Sequence, residues 1–461
     1  MLTKDKAATI FERIRKHSTA DEVEAIVYGG HSALTRFANN TIHQNVAEEG
    51  YVVSVRTTFG GRTARATTNK LDDESLKQVV KSSEALAKVQ QPDPDLLPMA
   101  EANAAAGASG PGRHFAQTAA ITPEERAAAV ATIVGVAQSN KLTAAGIFSS
   151  AESCEAILNS RGLAAWHTQT SSEISVTMLA GDSSGWQKAN SPDVRNLDAV
   201  ALAEIAARKA RDSAGPQELA PGKYTVVLEP AAVLDLVGFM FFDFGGLAVL
   251  DQRSFLNNRM GTPLFGPNIT VWDDVAHPLQ SGAGFDGEGV RRQRVRLVRE
   301  GVIENLVYAR SSAEKMKQSP LAGKVGEVRP TGHGFPLPNE MGEAPMNLVF
   351  EGGPEASRQT VQQMIASTER GVLVTRLWYI REVDPYEKIL TGMTRDGTFL
   401  IEGGKLARGL RNFRFNQSLI EMLSKVEAMG TPVRASGEES FDMVVPPMKV
   451  RDFNFTEVTK F

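Results

Sequence analysis

The chain has 461 residues, 42% apolar and 23% charged, with a formal net charge of −4. That length predicts two or three domains, each able to bury a core without staples, and the composition excludes disordered and collagen-like classes. The slightly negative balance supplies no phosphate-neutralising surface, so neither nucleic acid nor a membrane is an expected partner.

From the N-terminus, MLTKDKAATIFERIRKHS places its apolar residues at helical spacing, which predicts a helix over about 3–17 rather than a secretory signal. EAIVYGG, ALTRFANNTIHQN and YVVSVRTTFGGRTARATTN read as strands joined by turns. LDDESLKQVVKSSEALAKVQ returns to helical period, with Leu76, Val79, Val80, Ser83, Leu86 and Ala87 on one face and Asp72 or Asp73 as cap. Residues 93–113, rich in Pro, Gly, Ala and Ser, read as a mobile connector.

The order then repeats. Thr122, Pro123 and Glu125 fit an N-cap, a first-turn proline and a capping-box glutamate, opening a helix to about residue 139. Strands in AAGIFSSA, CEAILNSRGLAAWHTQ and EISVTMLAGDSSGWQKA precede the helix LDAVALAEIAARKARDSA. We read residues 1–92 and 121–215 as two related α+β units joined by a linker over 93–120.

Beyond SAGPQELAPGKY the chain is mainly strand and turn, with hairpin signals at Asp396-Gly397 and Gly403-Gly404 and a closing helix in NQSLIEMLSKVEAMG. The expected fold class is therefore α+β: an N-terminal α/β region of two helix–strands–helix units and a C-terminal antiparallel barrel-like domain over 222–455. Inside that domain, LVGFMFFDFGG (236–246) packs four Phe and one Met into eleven residues. Asp235 and Asp243 interrupt the run, leaving it short of the roughly 20 apolar residues that span a membrane.

Chemistry is sparse in this sequence. A zinc hydrolase needs two histidines about one helical turn apart with a neighbouring glutamate, and none of His17, His31, His43, His114, His167, His277 and His333 has such a partner. WDDVAHP gathers Asp273, Asp274 and His277, but reads better as a turn leaving a strand. GFDGEG, with Asp286 and Glu288, reads as a tight turn. PTGHGFPLP is the best candidate for contact with a substrate, because Gly332 and Gly334 let a backbone approach closely beside His333. Cys154, the only cysteine, has no basic neighbour and reads as a buried thiol in a reducing, cytoplasmic setting.

Several stretches together resemble one family. TRFANNTIHQN with GGRTARATTNKLDDESL is similar to the N-terminal signature of the TldD/PmbA (TldE) proteins, once described as modulators of DNA gyrase and now as metallopeptidases. FDGEGV, LVREGVIENLVYAR, PTGHG, RGVLVTRLWYIREVDPYEKILTGMTRDGTFLIEGGKL and NFRFNQSLIEML extend the similarity over nearly the whole chain.

The resemblance implies dimers that enclose a cavity where unfolded peptides are cut. In the catalytic type it implies H-E-x-x-x-H on the helix after the strand equivalent to YTVVLEP, and a later cysteine completing a zinc site. This chain has AAVLDLVGFMFFDFGG at the first place and ESFDMVVPPMKVRDFNF, without cysteine, at the second. Val237, Gly238, Phe239, Met240, Phe241 and Phe242 thus stand as a degenerate motif segment. The expectation is a TldE-like chain with no cofactor of its own, paired with a zinc-bearing subunit or with itself. The alternatives are a self-sufficient hydrolase using His277, His333 and nearby carboxylates, and a peptide-binding scaffold.

Overall fold

The computed structural model describes residues 1–108 and 112–459; residues 109–111, inside the predicted connector, lie outside the described residues. The first helix, α1 (Lys4–His17), is capped by Thr3 and buries Ala7, Ile10, Phe11 and Ile14. After β1 (Glu22–Ala38), β2 (Thr41–Phe59) and β3 (Arg62–Thr68), helix α2 (Asp73–Val89) buries Leu76, Val79 and Val80 in the same cluster. Asp72 is its cap, with the carboxylate accepting the Ser75 N–H. Leu86, expected on the buried face, is exposed. Glu84 is buried instead, because its carboxylate accepts the Thr19 N–H and the hydroxyls of Ser18 and Thr19.

Following the short α3 (Ala116–Ala119), α4 (Pro123–Ser139) opens on the capping box of Thr122 and Glu125. The second set of strands is β4 (Thr143–Asn159), β5 (Ala164–Leu179) and β6 (Ser184–Ser191), followed by α5 (Ala199–Asp212). All six strands form one sheet in the order β3-β2-β1-β4-β5-β6, because β1 and β4 pair antiparallel from Glu24↔Asn159 to Phe37↔Gly146. The two units therefore share a sheet about that central pair. Strand alternation puts Ala25, Val27 and Ala156 against α1 and α2, and turns Ile26, Ile157 and Ala165 towards Ala283 and Phe285 of the C-terminal part.

The described residues of the connector from Met99 to Ala108 are docked rather than loose. Met99 and Ala100 are buried, and Ala104, Ala105 and Ala108 pack against the Ile26–Phe285 cluster, where small side chains fit. Arg113 is buried as well, donating to the carbonyls of Val275 and His277.

In the C-terminal part, β7 (Gly222–Leu228) is one stave of a closed five-strand barrel. Around the barrel run Arg370–Asp384, β7, Met448–Val458, Phe413–Ser418 and Ile389–Glu402, and the first and last pair to close it. One pairing is parallel, Gly371–Val374 beside Thr225–Leu228, and the other four are antiparallel. Phe413, Phe415, Phe453 and Phe455 are buried together there. Six short strands, among them Val271–Asp273 and Met443–Val445, make a second sheet.

Two local expectations need correction. Asp396-Gly397 is not a hairpin turn but a bulge within Ile389–Glu402, where the register moves from Val374↔Thr398 to Arg376↔Arg395. The bulge aims Asp396 at Ser184 of the central unit, whose hydroxyl donates to it at 2.6 Å. The closing helix spans only Leu419–Ser424 before the chain turns into strand Val426–Met429. Gly403-Gly404, by contrast, is the tight turn expected, with φ of 54° and 74°. No helix among the described residues is long and apolar enough to cross a membrane.

Candidate functional site

β7 delivers the chain to α6 (Pro230–Val237), which begins on a first-turn proline after Glu229. The Phe-rich run continues as a tighter 3₁₀ turn over Gly238–Phe244 and passes into α7 (Gly246–Leu250). The run is therefore α-helical only at its two ends, Leu236–Val237 and Gly246. Val237, Met240, Phe241 and Phe244 are buried, Phe239 is half-buried, and Phe242 is 49% exposed. Phe241 meets Phe350 edge-on at 6.2 Å and Phe244 meets Phe255 at 6.2 Å, which fixes the turn to the core.

The loop Gly437–Phe441 lies against this turn. A Cβ on Gly238 would stand 1.9 Å from Ser440 Oγ, so only glycine allows the approach. Asp235, buried on α6, accepts the N–H groups of Glu438 and Glu439, each at 3.1 Å. Burial drives its carboxyl up to about 7 against those two donors. Lys188 of β6 holds the same loop from the other side, donating to Gly437 O at 3.0 Å and pairing with Glu438 at 3.7 Å.

Between turn and loop opens a cleft of about 630 Å³. Its walls are Phe239 and Phe242 on one side and Glu438–Phe441 on the other, with Asp243, Glu382 and Lys388 between them. The Lys388 ammonium is buried, 2.6 Å from Asp243 Oδ2 and 2.8 Å from Glu382 Oε1. Burial raises the Asp243 pKa and Lys388 opposes the rise.

Zinc does not fit these residues. The cleft offers carboxylates without imidazole or thiolate, and Lys388 already supplies the cation that two of them face. Among the described residues no group of three or more His, Cys, Asp or Glu is arranged to hold a metal. Cys154 is buried in the α1–α2 cluster, where burial raises its pKa.

The glycine-flanked loop lies beside the same region. Phe335 stacks on Phe242 at 6.5 Å and 25°, so the structure joins the Phe run to PTGHGFP. His333 itself is buried, with Nδ1 2.9 Å from Thr331 Oγ1 and Nε2 2.9 Å from Asp273 Oδ1. Burial lowers the imidazole pKa, and Asp273 opposes the fall. Asp273 stays ionised despite burial, held below its ordinary range by His333, Arg292 and the N–H groups of Met346 and Asn347. Gly332 has φ 73°, and a Cβ there would stand 2.2 Å from Arg291 O. Gly334 donates its N–H to Asp286 Oδ2 at 2.7 Å.

The turns read from WDDVAHP and GFDGEG are present, yet their acids are buried. Asp274 accepts the Ala276 N–H, and His277 Nδ1 accepts from Leu279 N. Asp286 is pushed up to about 7 by burial and by Glu288. Glu288 accepts the Arg310 N–H at the start of helix Arg310–Gln318, while Glu343 accepts the Leu247 N–H at the start of α7. These carboxylates satisfy exposed helix-end donors.

Sequence reading missed Asp235, Asp243, Glu382, Lys388 and Ser440. The signal available was the pair of aspartates inside an apolar run, since a buried acid requires a partner from elsewhere in the chain.

Compared with known proteins, residues 23–87 match the PmbA/TldA metallopeptidase domain 1, 99–214 the central domain and 221–457 the C-terminal domain. Metalloprotease PmbA of Escherichia coli O157:H7 is 21% identical over 409 residues, 84% of this chain and 83% of that protein. Archaeal matches are shorter: 37% identity over 19% of this chain and 21% of a Methanocaldococcus jannaschii protein, and 22% identity over 61% of both this chain and a Methanothermobacter thermautotrophicus metalloprotease. The crystal structure of TldE from Thermococcus kodakarensis superposes with a TM-score of 0.83 at 18% identity, over 98% of this chain and 99% of that one, a likeness of fold.

Proposed function

The chain belongs to the PmbA/TldA metallopeptidase family, and from that premise we propose that it is a TldE-like subunit of a peptidase complex that handles unfolded peptides in the cytoplasm. The zinc chemistry comes from a homologous partner, and this chain contributes cavity wall and peptide contacts. One observation carries the reading. The two stretches expected to supply zinc ligands meet at Gly238 and Ser440, on a cleft walled by phenylalanine and by carboxylates closed over Lys388.

Phe242 and Phe335 then form an apolar shelf beside the cleft that suits an extended peptide. Gly332, His333 and Gly334 act behind that shelf, fixing the loop that presents Phe335. The test is co-expression with a homologue bearing H-E-x-x-x-H. The two chains are expected to co-purify and cleave an unfolded peptide, with all chelatable zinc in the partner. If they never associate, or if this chain leaves the partner's cleavage unchanged, the reading is wrong.

A further inference from the structure

The sheet order leaves one edge open. β3 pairs with β2 only over Val53–Phe59, whereas β1 pairs along the other side of β2 from Thr41 to Thr58. Among the described residues no strand lies outside the N-terminal part of β2. A register shift at His43 breaks the ladder near the hairpin turn, so the regular free edge runs from Gln44 to Val52, about 30 Å at roughly 3.4 Å per residue. Every residue from Ala47 to Gly50 is exposed, while Asn45 accepts from Arg126 and Tyr51 packs against the α1–α2 cluster. Such an edge presents backbone N–H and C=O groups to any extended chain, and this one contains no proline or lysine to block pairing.

We propose that the free edge of β2, Gln44–Val52, is a strand-addition site for an extended peptide carrying a lysine or arginine. The proposal rests on the peptide-handling role above and locates a contact surface outside the cleft. Backbone pairing supplies affinity with little dependence on sequence. Glu48 and Glu49 are the only charged residues of the edge, and as neighbours in a strand they point to opposite faces. A basic side chain of the peptide therefore meets a carboxylate whichever face it occupies.

A second copy of this chain fits the edge less well. Antiparallel self-pairing with full overlap sets Glu48 against its own copy, and like charges directly opposed disfavour a pair. The apolar side chains of the stretch are Val46, Ala47, Tyr51 and Val52, and Tyr51 already packs against the α1–α2 cluster, whereas permanent homodimers need a large apolar interface.

The test uses the full chain with a short unstructured peptide of Ser, Thr and Val carrying one central Arg. Hydrogen exchange is expected to slow at Gln44–Val52 when this peptide is added. By fluorescence anisotropy, the double substitution Glu48→Lys with Glu49→Lys, Arg→Glu in the peptide and N-methylation of alternate peptide residues should each weaken binding about tenfold. Glu48 and Glu49 are both exposed, so a thermal melt should show that the double substitution leaves the fold intact. Protection confined to 238–243 and 438–441 would overturn the edge site while leaving the peptide role standing. Protection of Gln44–Val52 that rises with protein concentration and needs no peptide would assign the edge to a second copy and overturn the proposal. No protection anywhere also overturns it, and the peptide role is then judged by the two-chain cleavage assay.

Discussion

Gly238 and Ser440, 202 positions apart in the chain, touch so closely that a single added Cβ on the glycine would lie 1.9 Å from the serine oxygen and 2.4 Å from its Cβ. That contact joins the two stretches at which the family resemblance leads one to expect zinc ligands.

Gly238→Ala is accordingly expected to destabilise the protein by about 1–3 kcal/mol, the usual cost of overpacking a tight contact. Ser440→Ala should not relieve it, because the serine Cβ is itself in the way. Ser440→Gly should restore most of the loss. Urea unfolding of the single and double variants decides the matter, and an additive double variant would dismiss the contact.

Lys388 stands between two carboxylates in a buried setting, so removing it leaves charge without a partner. Lys388→Met should cost about 3–5 kcal/mol. Adding Asp243→Asn should recover part of that, since the amide still accepts the Phe255 N–H at Oδ1. Equal stability of Lys388→Met and wild type in urea would refute the burial argument.

Phe241 and Phe242 are neighbours with opposite fates. Phe241→Ala should cost about 3–5 kcal/mol as a buried aromatic truncation. Phe242→Ala, half exposed, should alter the melting temperature little. If the cleft serves peptides, the second substitution nevertheless reduces cleavage by the two-chain complex. Normal cleavage by Phe242→Ala would remove that residue from the proposed shelf.

Asp235 predicts a pH dependence of known sign. Its ordinary value of 3.8 is raised to about 7 in the fold. Between about pH 4 and pH 7 the unfolded chain has released this proton and the folded chain retains it, so stability falls as pH rises through that window. Asp286 and Glu343, also pushed up to about 7 by burial, act in the same direction. Asp235→Asn should flatten the fall and raise the urea midpoint above pH 7 relative to wild type. An unchanged profile would show that Asp235 does not titrate there.

His333 tests the loop beside the cleft. His333→Ala should cost about 2–4 kcal/mol, because it leaves the buried Asp273 carboxylate without its ring partner. The accompanying rise in exchange should centre on Thr331–Phe335. A surface histidine would show neither effect.

Periodicity and capping chemistry made much of the fold legible. The first-turn proline and capping box of α4 are local features, and their residues lie within one helical turn of each other. The paired glycines at 403–404 likewise carry their turn in their own backbone freedom. Asp396-Gly397 misled because its dipeptide suits positive φ in a bulge as well as in a hairpin, and only the partner strand decides which forms. The connector misled because a run of small residues fits a flexible linker and a close-packed strap equally well.

The sequence by itself determined the capped helices and long strands of the N-terminal half, their repeated order, and the absence of H-E-x-x-x-H after β7. Each follows from residue type at short spacing. Tertiary structure alone decided that the two N-terminal units share one sheet, that an edge of β2 stays open, and that Asp243, Glu382, Lys388 and Ser440 converge on one cleft whose loop Asp235 holds. Those relationships join residues up to 205 positions apart, as Asp235 and Ser440 are. A buried charge reveals its need for a partner in the sequence, but only the folded chain reveals which partner answers it.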